Sequence, residues 1–513
     1  MNGNGNNIRS RNGIKSNGAI TNDGSSHIIS SVNSNNKGKK KKTTSLSTLQ
    51  EKLLLTCACC AVFLLFRYIR RRTSDGSVMG RNAAMRLGRL RDAASPNNNN
   101  NNGSDGGTSY KRGGLLHIRE AMTNPNYDKL GKHHAQQILS GHANLIDIRI
   151  HENSIMETEY YTGIIGTFCP LNFQVQKDDP PNSPMFRDVV GKSEGCDVHS
   201  SENVITVDLA EAIQLVREFD TFARENEYGV NYYNVPKLLK LRGVVFHESR
   251  CGSTLAANTM MAMDPLRHRV YSESAPPIAA IKACGELYEE CSLESAANLL
   301  RDVIYLMGRS ADPRETNLFF KFQSISVRNM DVFRMAFPNT PWIYLYREPV
   351  EVMMSQLDVP QMRAANCVRS HSHSPLVARF VSRSGYSPQD LDDEEWCAIH
   401  LATICEAAIK NLNDADGLGL AVNYHKDLVH DFIDTVFPKH FNVPLDQAAI
   451  ERVLKVSGTY SKNRGSQGAG AKFKSDSEAK EREATDGIRK ASSLFLEPSF
   501  NTLQHSRYNI RNN

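Results

Sequence analysis

The sequence GVVFHESRCGSTL, residues 243–255, sets the reading of the whole chain. Behind Arg242, the run Gly243, Val244, Val245, Phe246 is short and apolar, as in a central parallel strand. Arg250, Cys251, Gly252, Ser253 and Thr254 make a turn, and LAANTMMAM (255–263) continues as a good helix former. Strand, turn and helix start bring backbone N–H groups, two hydroxyls and a guanidinium to one helix N-terminus, an arrangement that holds phosphate or sulfate. It is not a Walker A loop. That motif needs a lysine beside the hydroxyl residue, whereas here the basic residue, Arg250, lies two positions before Gly252. Taken alone, the stretch also suits an ordinary strand-to-helix turn with a surface arginine.

Beyond this loop, strands and helices alternate. Residues 293–307 are amphipathic, NLFFKFQ (317–323) is a short aromatic strand, and 329–337 is a helix stopped by Pro338. WIYLY (342–346) is another buried strand, with a helix starting behind Pro349. Residues 396–412 form a strong helix and LAVNY (420–424) a late strand. The alternation predicts an α/β fold, a P-loop-like three-layer α/β/α sandwich on a central parallel sheet. Ligands in such folds sit at the carboxyl ends of the strands. Before the loop, LIDIRI (145–150) alternates like a half-buried strand, 207–222 has helical spacing, and 176–203 reads as a loop rich in Asp, Pro, Ser and Gly. Residues 114–235 are thus an α+β extension of unassigned role, packed on a catalytic domain at 236–513.

The chain of 513 residues carries a formal net charge of +5, unevenly spread. Residues 1–113 hold 19 Lys/Arg and 5 Asp/Glu; the other 400 hold 42 and 51. The folded part is acidic, which argues against a general nucleic-acid binder and leaves room for a local basic site. Residues 1–48 read as a disordered tail with a basic cluster at Lys37 and Lys39 to Lys42. An uncharged run of 14 residues at 53–66 spans roughly 21 Å as a helix, short of the ~30 Å of a typical bilayer core. With Tyr68 and Ile69, and Arg67 reaching to the interface, residues 49–69 are expected to be a transmembrane signal anchor with the N-terminus in the cytosol. Residues 70–113 are a low-complexity stalk that includes the sequon at Asn102. Of eleven cysteines, Cys57, Cys59 and Cys60 lie in the apolar run. The other eight show no CxxC pair, so a zinc ribbon is not expected. If that part is lumenal, disulfides can form among them, and the spacing does not fix their connectivity. His133, His134 and His151 match no metal-binding spacing, and no metal is expected.

A second motif lies in WIYLYREPVEVMMS (342–355), where a hydrophobic strand delivers Arg347 at its carboxyl end and Ser355 follows eight residues later, about two turns into a helix. The two loops together resemble those of the sulfotransferases that use 3′-phosphoadenylyl sulfate (PAPS). In that family the first loop reads approximately (P/S)(K/R)(S/T)G(T/S)(T/S), and a later strand ends in R(D/E/N)P with a serine eight residues on. The matches are Ser249, Arg250, Cys251, Gly252, Ser253 and Thr254 for the 5′-phosphosulfate, and Arg347, Glu348, Pro349 and Ser355 for the 3′-phosphate, in the same order and about 100 residues apart. The resemblance covers roughly 241–475. Cys251 departs from the usual Ser/Thr, and Arg250 in place of Lys looks like the membrane-bound lumenal branch. The Gly-rich basic loop TYSKNRGSQGAGAKFK (459–474) resembles the family's nucleotide-closing loop, with Lys462 and Arg464 on the 3′-phosphate side.

The resemblance implies in-line transfer of a sulfuryl group from PAPS to an acceptor hydroxyl on a glycan, a tyrosine or a small molecule, with no metal, in the Golgi lumen, from a single-pass type II protein. Arg250 would stabilise the leaving group. Gln323 stands where cytosolic members carry a basic His, so Glu273 is the expected base, with Lys321 stabilising charge and Glu248 and His247 in reserve. Two other functions compete: a P-loop kinase-like nucleotide enzyme, disfavoured by the missing lysine and the lack of a magnesium-binding acidic motif, and an inactive membrane-tethered scaffold, which Gln323 and Cys251 would suit.

Overall fold

A computed structural model describes residues 134–196, 204–225, 235–369, 373–425, 427–459 and 476–512. The tail, anchor, stalk, Cys57, Cys59, Cys60, Asn102, His133, Lys462 and Arg464 lie outside them. Among the described residues no helix is long and apolar enough to cross a membrane.

Among the described residues ten strands form three sheets. β1 (Ala143–Met156), β2 (Tyr161–Pro170) and β3 (Ile205–Asp208) make an antiparallel sheet in that order, and β4 (Lys237–Leu238) pairs with β7 (Arg309–Ser310) in a two-stranded sheet. The central sheet contains β5 (Lys240–His247), β6 (His268–Ser272), β8 (Asn317–Lys321), β9 (Trp342–Tyr346) and β10 (Gly419–Asn423). It is parallel, with the order β10-β9-β5-β8-β6. From β5 the chain passes to the far edge at β6, returns through β8, then crosses to β9 and β10. Direction therefore reverses at β5, and the crevice at its carboxyl end is where such a sheet admits a ligand.

Alternation along the strands builds two separate cores. Val245, Val270, Phe319, Ile343, Leu345 and Val422 face one way and pack with Ala256, Met260 and Met263 of the helix Ser253–Met263 and with Val453 of the helix Gln447–Ser457. Val244, Phe246, Tyr271, Phe320, Trp342 and Tyr344 face the other way, toward the helices Leu293–Met307, Met330–Ala336 and Asp393–Asn413. Period-2 side-chain direction thus gives a parallel sheet covered by helices on both faces. Gly243 allows one layer to sit close: a Cβ there would meet the Phe441 ring at 2.6 Å. The chain end covers the β10 edge, where Ala421 donates to the Tyr508 carbonyl at 2.8 Å and accepts from Ile510 at 3.0 Å.

Residues 134–225 share the second core and are tied to the parallel sheet by buried charge. Glu315 is paired with Lys177 at 2.6 Å and with Arg269 at 2.5 Å, and Arg269 also donates to Asn144 at 3.0 Å. The expected strand at 145–150 is the centre of a longer one, and the helix expected from residue 207 starts at Leu209, because Asp208 turns its carboxylate back onto the N–H groups of Ala210 and Glu211. The expected loop from residue 176 holds two short helical pieces, Pro180–Asn182 and Phe186–Lys192, where capping by Asp179 and Asp188 outweighs the turn-rich composition.

Three disulfides join Cys169 to Cys196, Cys284 to Cys291 and Cys367 to Cys397; Cys251 and Cys405 are free and buried. Among the described residues no three His, Cys, Asp or Glu side chains group as a metal site.

Candidate active site

A cleft of about 930 Å³ opens at the carboxyl ends of the central strands, lined by Ser249, Arg250, Gly252, Ser253, Thr254, Glu273, Gln323 and Arg347 among others. Both motifs therefore face one space. The first loop turns sharply after β5: Ser249, Arg250 and Gly252 have φ of 98°, 52° and 78°. Two of these are not glycine, an arrangement that costs roughly 1–3 kcal/mol each and persists only where surroundings enforce it. At Gly252 substitution is barred twice, since a Cβ would also lie 2.3 Å from the Tyr424 ring. The helix beginning at Ser253 presents the N–H groups of Ser253 and Thr254, which have no intrahelical carbonyl to bond, while those of Leu255 and Ala256 donate to the Gly252 carbonyl at 2.9 and 3.3 Å.

The two loops are laced together. Arg250 Nε donates to the Ser355 carbonyl at 2.9 Å, and Arg347 Nη1 donates to the Arg250 carbonyl at 3.3 Å. The Leu345 carbonyl accepts from Glu248 N–H at 2.9 Å and from Cys251 Sγ at 3.2 Å. Arg250 has no carboxylate partner among the described residues and is exposed to the cleft. Ser355 Oγ is buried without a hydrogen-bond partner among the described residues, an orphan that suits an anion position. Arg347 is less open than the sequence suggests. Its Nε donates to Glu351 at 2.6 Å, Nη2 meets Ser477 Oγ at 3.2 Å and Asp476 at 3.4 Å, and the guanidinium lies 4.6 Å over the Tyr424 ring. Any phosphate at Arg347 must displace at least one of these acidic partners.

Cys251 and Glu248 turn away from the cleft. The Cys251 side chain is buried and binds Leu345, and burial pushes its thiol up to about 12, so only its backbone can meet a ligand. Glu248 is buried between the loops and accepts from the Arg347 N–H at 3.1 Å; burial raises its carboxyl to about 8. A carboxyl with no access to the cleft cannot serve as the base.

On the other side of β5, three neighbouring strands deliver a second cluster. His247 ends β5, Lys321 ends β8 and Glu273 follows β6, with register pairs Val245–Lys321 and Ser272–Lys321 setting them side by side. Lys321 is buried and its ammonium binds Glu273 Oε1. Burial pushes the Glu273 carboxyl up, but the Lys321 ammonium more than offsets it and holds the group below its ordinary value of 4.5. Burial lowers the Lys321 ammonium from its usual range, against the pull of Glu273. His247 is neutral, held down to about 3 by burial and by Lys321. Its Nδ1 accepts from Ser249 N–H at 3.1 Å, which leaves the proton on Nε2, 3.7 Å from Glu273. With Nδ1 accepting from Ser249, and Nε2 protonated and without a hydrogen-bond partner among the described residues, His247 has no free lone pair to take a proton. Among the described residues Glu273 is the one carboxylate lining this end of the cleft, and its own φ of 55° turns it there.

Sequence reasoning missed Arg187, Lys282, Asn366 and Arg369, which also line the cleft. They come from the extension and from connecting segments with no motif; only their basic or amide character was visible beforehand. No family model, no curated protein and no solved structure matches the chain, so the site is read from its own residues and geometry.

Proposed function

We propose that the chain is a sulfotransferase of P-loop-like fold that takes PAPS as sulfuryl donor and acts on an acceptor hydroxyl. The observation that carries this reading is the lacing of two anion loops, Arg250 to Ser355 and Arg347 to Arg250, across a gap of about 100 residues into one cleft. The first-turn N–H groups of Ser253 and Thr254 would hold the 5′-phosphate, and Ser355 Oγ and Arg347 the 3′-phosphate. Arg250, with free Nη groups, would face the oxygen that bridges phosphorus and sulfur.

The chemistry then needs little beyond placement and charge. The acceptor oxygen forms its bond to sulfur as the bridging S–O bond breaks. The electron pair leaves with the phosphate, beside Arg250, and the acceptor proton passes to Glu273. Lys321 acts behind Glu273: by keeping the carboxyl ionised, it has the base ready at neutral pH. Three disulfides suit an oxidising compartment and so support a lumenal domain behind the anchor expected at 49–69. The test is transfer of labelled sulfate from PAPS to glycan, tyrosine-peptide and phenol acceptors by the full chain. Label on an acceptor hydroxyl supports the reading; transfer of a phosphoryl group from ATP instead would replace it.

A further inference from the structure

At the Glu273 end of the cleft, cations accumulate without a paired carboxylate among the described residues. Arg187, at the start of the helix Phe186–Lys192, Lys282, just after the helix Ala275–Ile281, and Arg369 are all exposed and all line the cleft. None of the three has a carboxylate within ion-pair distance among the described residues, whereas Arg217, Arg269, Arg309, Arg328 and Arg334 each have one. Glu273, the one acid nearby, is already neutralised by Lys321. Residues 114–513 carry 42 basic and 51 acidic side chains, so three unpaired cations around one opening run against the local balance of charge. Beside them stand Gln323, Ser324 and Asn366, whose side chains have no hydrogen-bond partner among the described residues. The six present fixed positive charge interleaved with neutral donors and acceptors.

We propose that the acceptor is an anionic saccharide: a sugar hydroxyl is sulfated while a neighbouring carboxylate or sulfate ester is held by Arg187 and Lys282. This rests on the sulfotransferase reading and adds the substrate class to it. Hydroxyl-rich rings call for amides and hydroxyls of the kind that Gln323, Ser324 and Asn366 supply, and cations without carboxylates call for an anion. A tyrosine acceptor would instead call for an aromatic sleeve, and apart from Tyr424, which stacks on Arg347, no Phe, Tyr or Trp among the described residues lines the cleft.

The test uses the full chain with labelled PAPS and three acceptors: a uronate-containing polysaccharide, the same polymer with its carboxyls reduced to alcohols, and an acidic tyrosine peptide. The polysaccharide is expected to accept sulfate at least about tenfold faster than its reduced form, the ratio that one charge-assisted contact supplies. Arg187→Gln with Lys282→Gln should raise KM for the polysaccharide about tenfold and leave stabilisation by adenosine 3′,5′-bisphosphate unchanged. Equal transfer to the reduced polymer, preference for the peptide, or no transfer to either polymer while the bisphosphate still stabilises the protein would each overturn the saccharide assignment and spare the donor site. Absence of bisphosphate stabilisation would instead strike the sulfotransferase reading itself.

Discussion

At the β5–β9 end of the cleft the polar groups are mostly engaged with one another: Arg347 with Glu351, Asp476 and Ser477, Glu248 with the Arg347 backbone, and Cys251 with Leu345. Among the described residues, Arg250, the unpartnered Ser355 hydroxyl and the N–H groups of Ser253 and Thr254 are left to receive something. At the β6–β8 end a single ion pair, Glu273 with the buried Lys321, is surrounded by cations and amides with no paired side chain among the described residues. The first end is fixed by hydrogen bonds to strand carbonyls, as a site for one invariant ligand should be. The second has a carboxylate fixed by Lys321 and an open rim, as suits a ligand that varies and must leave. A rigid end lowers the ordering cost of binding, and an open one admits a larger partner.

If that contrast holds, substitutions at the two ends separate cleanly. The largest effect is expected for Glu273→Ala: loss of transfer by ~10²–10⁴-fold, the range for removing a general base, with bisphosphate binding retained. Because Lys321 holds the Glu273 carboxyl below 4.5, the acid limb of kcat/KM should fall below that pH. The same pair stabilises the fold at pH values above 4.5 and loses that contribution as pH drops through the depressed value. Next, Arg250→Ala should weaken bisphosphate binding by roughly 10–100-fold, the worth of charge-assisted bonds, as read by calorimetry.

Smaller still is the effect expected at Glu248. Its carboxyl stays protonated up to about 8 in the folded protein, while an unfolded glutamate ionises near 4.5. The folded state therefore binds the extra proton between those values, and stability declines as pH rises through that window. Glu248→Gln keeps the acceptor for the Arg347 N–H and should flatten that decline without loss of bisphosphate affinity. Glu248→Ala should cost about tenfold in affinity, a loss that Gln rescues. The smallest effect has the opposite sign. Asp476 holds Arg347 from a half-exposed position at 3.4 Å, so Asp476→Asn should tighten bisphosphate binding by about 2–5-fold, the scale of an exposed ion pair.

Four of the five parallel strands were legible as short apolar runs followed by a turn, from Val244 through Trp342 to Leu420, whereas β6, HRVYS, carries no such run. The two anion loops were legible for the same reason: each motif lies within one strand–turn–helix unit. What the sequence could not give is orientation and neighbourhood. Cys251 has the chemistry of a ligand-facing residue and the position of a buried one, because the left-handed turn at Arg250 rotates it onto Leu345. His247 and Glu248 are adjacent in sequence and differ in fate by the period of two along β5. Arg187 was hidden in a segment read as a loop, brought to Glu273 only by packing of the extension on the central sheet. The occupation of Arg347 by Asp476 depends on a separation of 129 residues, beyond the reach of any local pattern.

The most direct measurement is thermal unfolding of the full chain with adenosine 3′,5′-bisphosphate and, separately, with ATP and Mg²⁺. Laced anion loops that select a 5′- and a 3′-phosphate predict a concentration-dependent rise in Tm with the bisphosphate, diminished in Arg250→Ala and preserved in Glu273→Ala. A rise with ATP and Mg²⁺ alone, or with neither ligand, would contradict the assignment of this cleft to a PAPS-type donor.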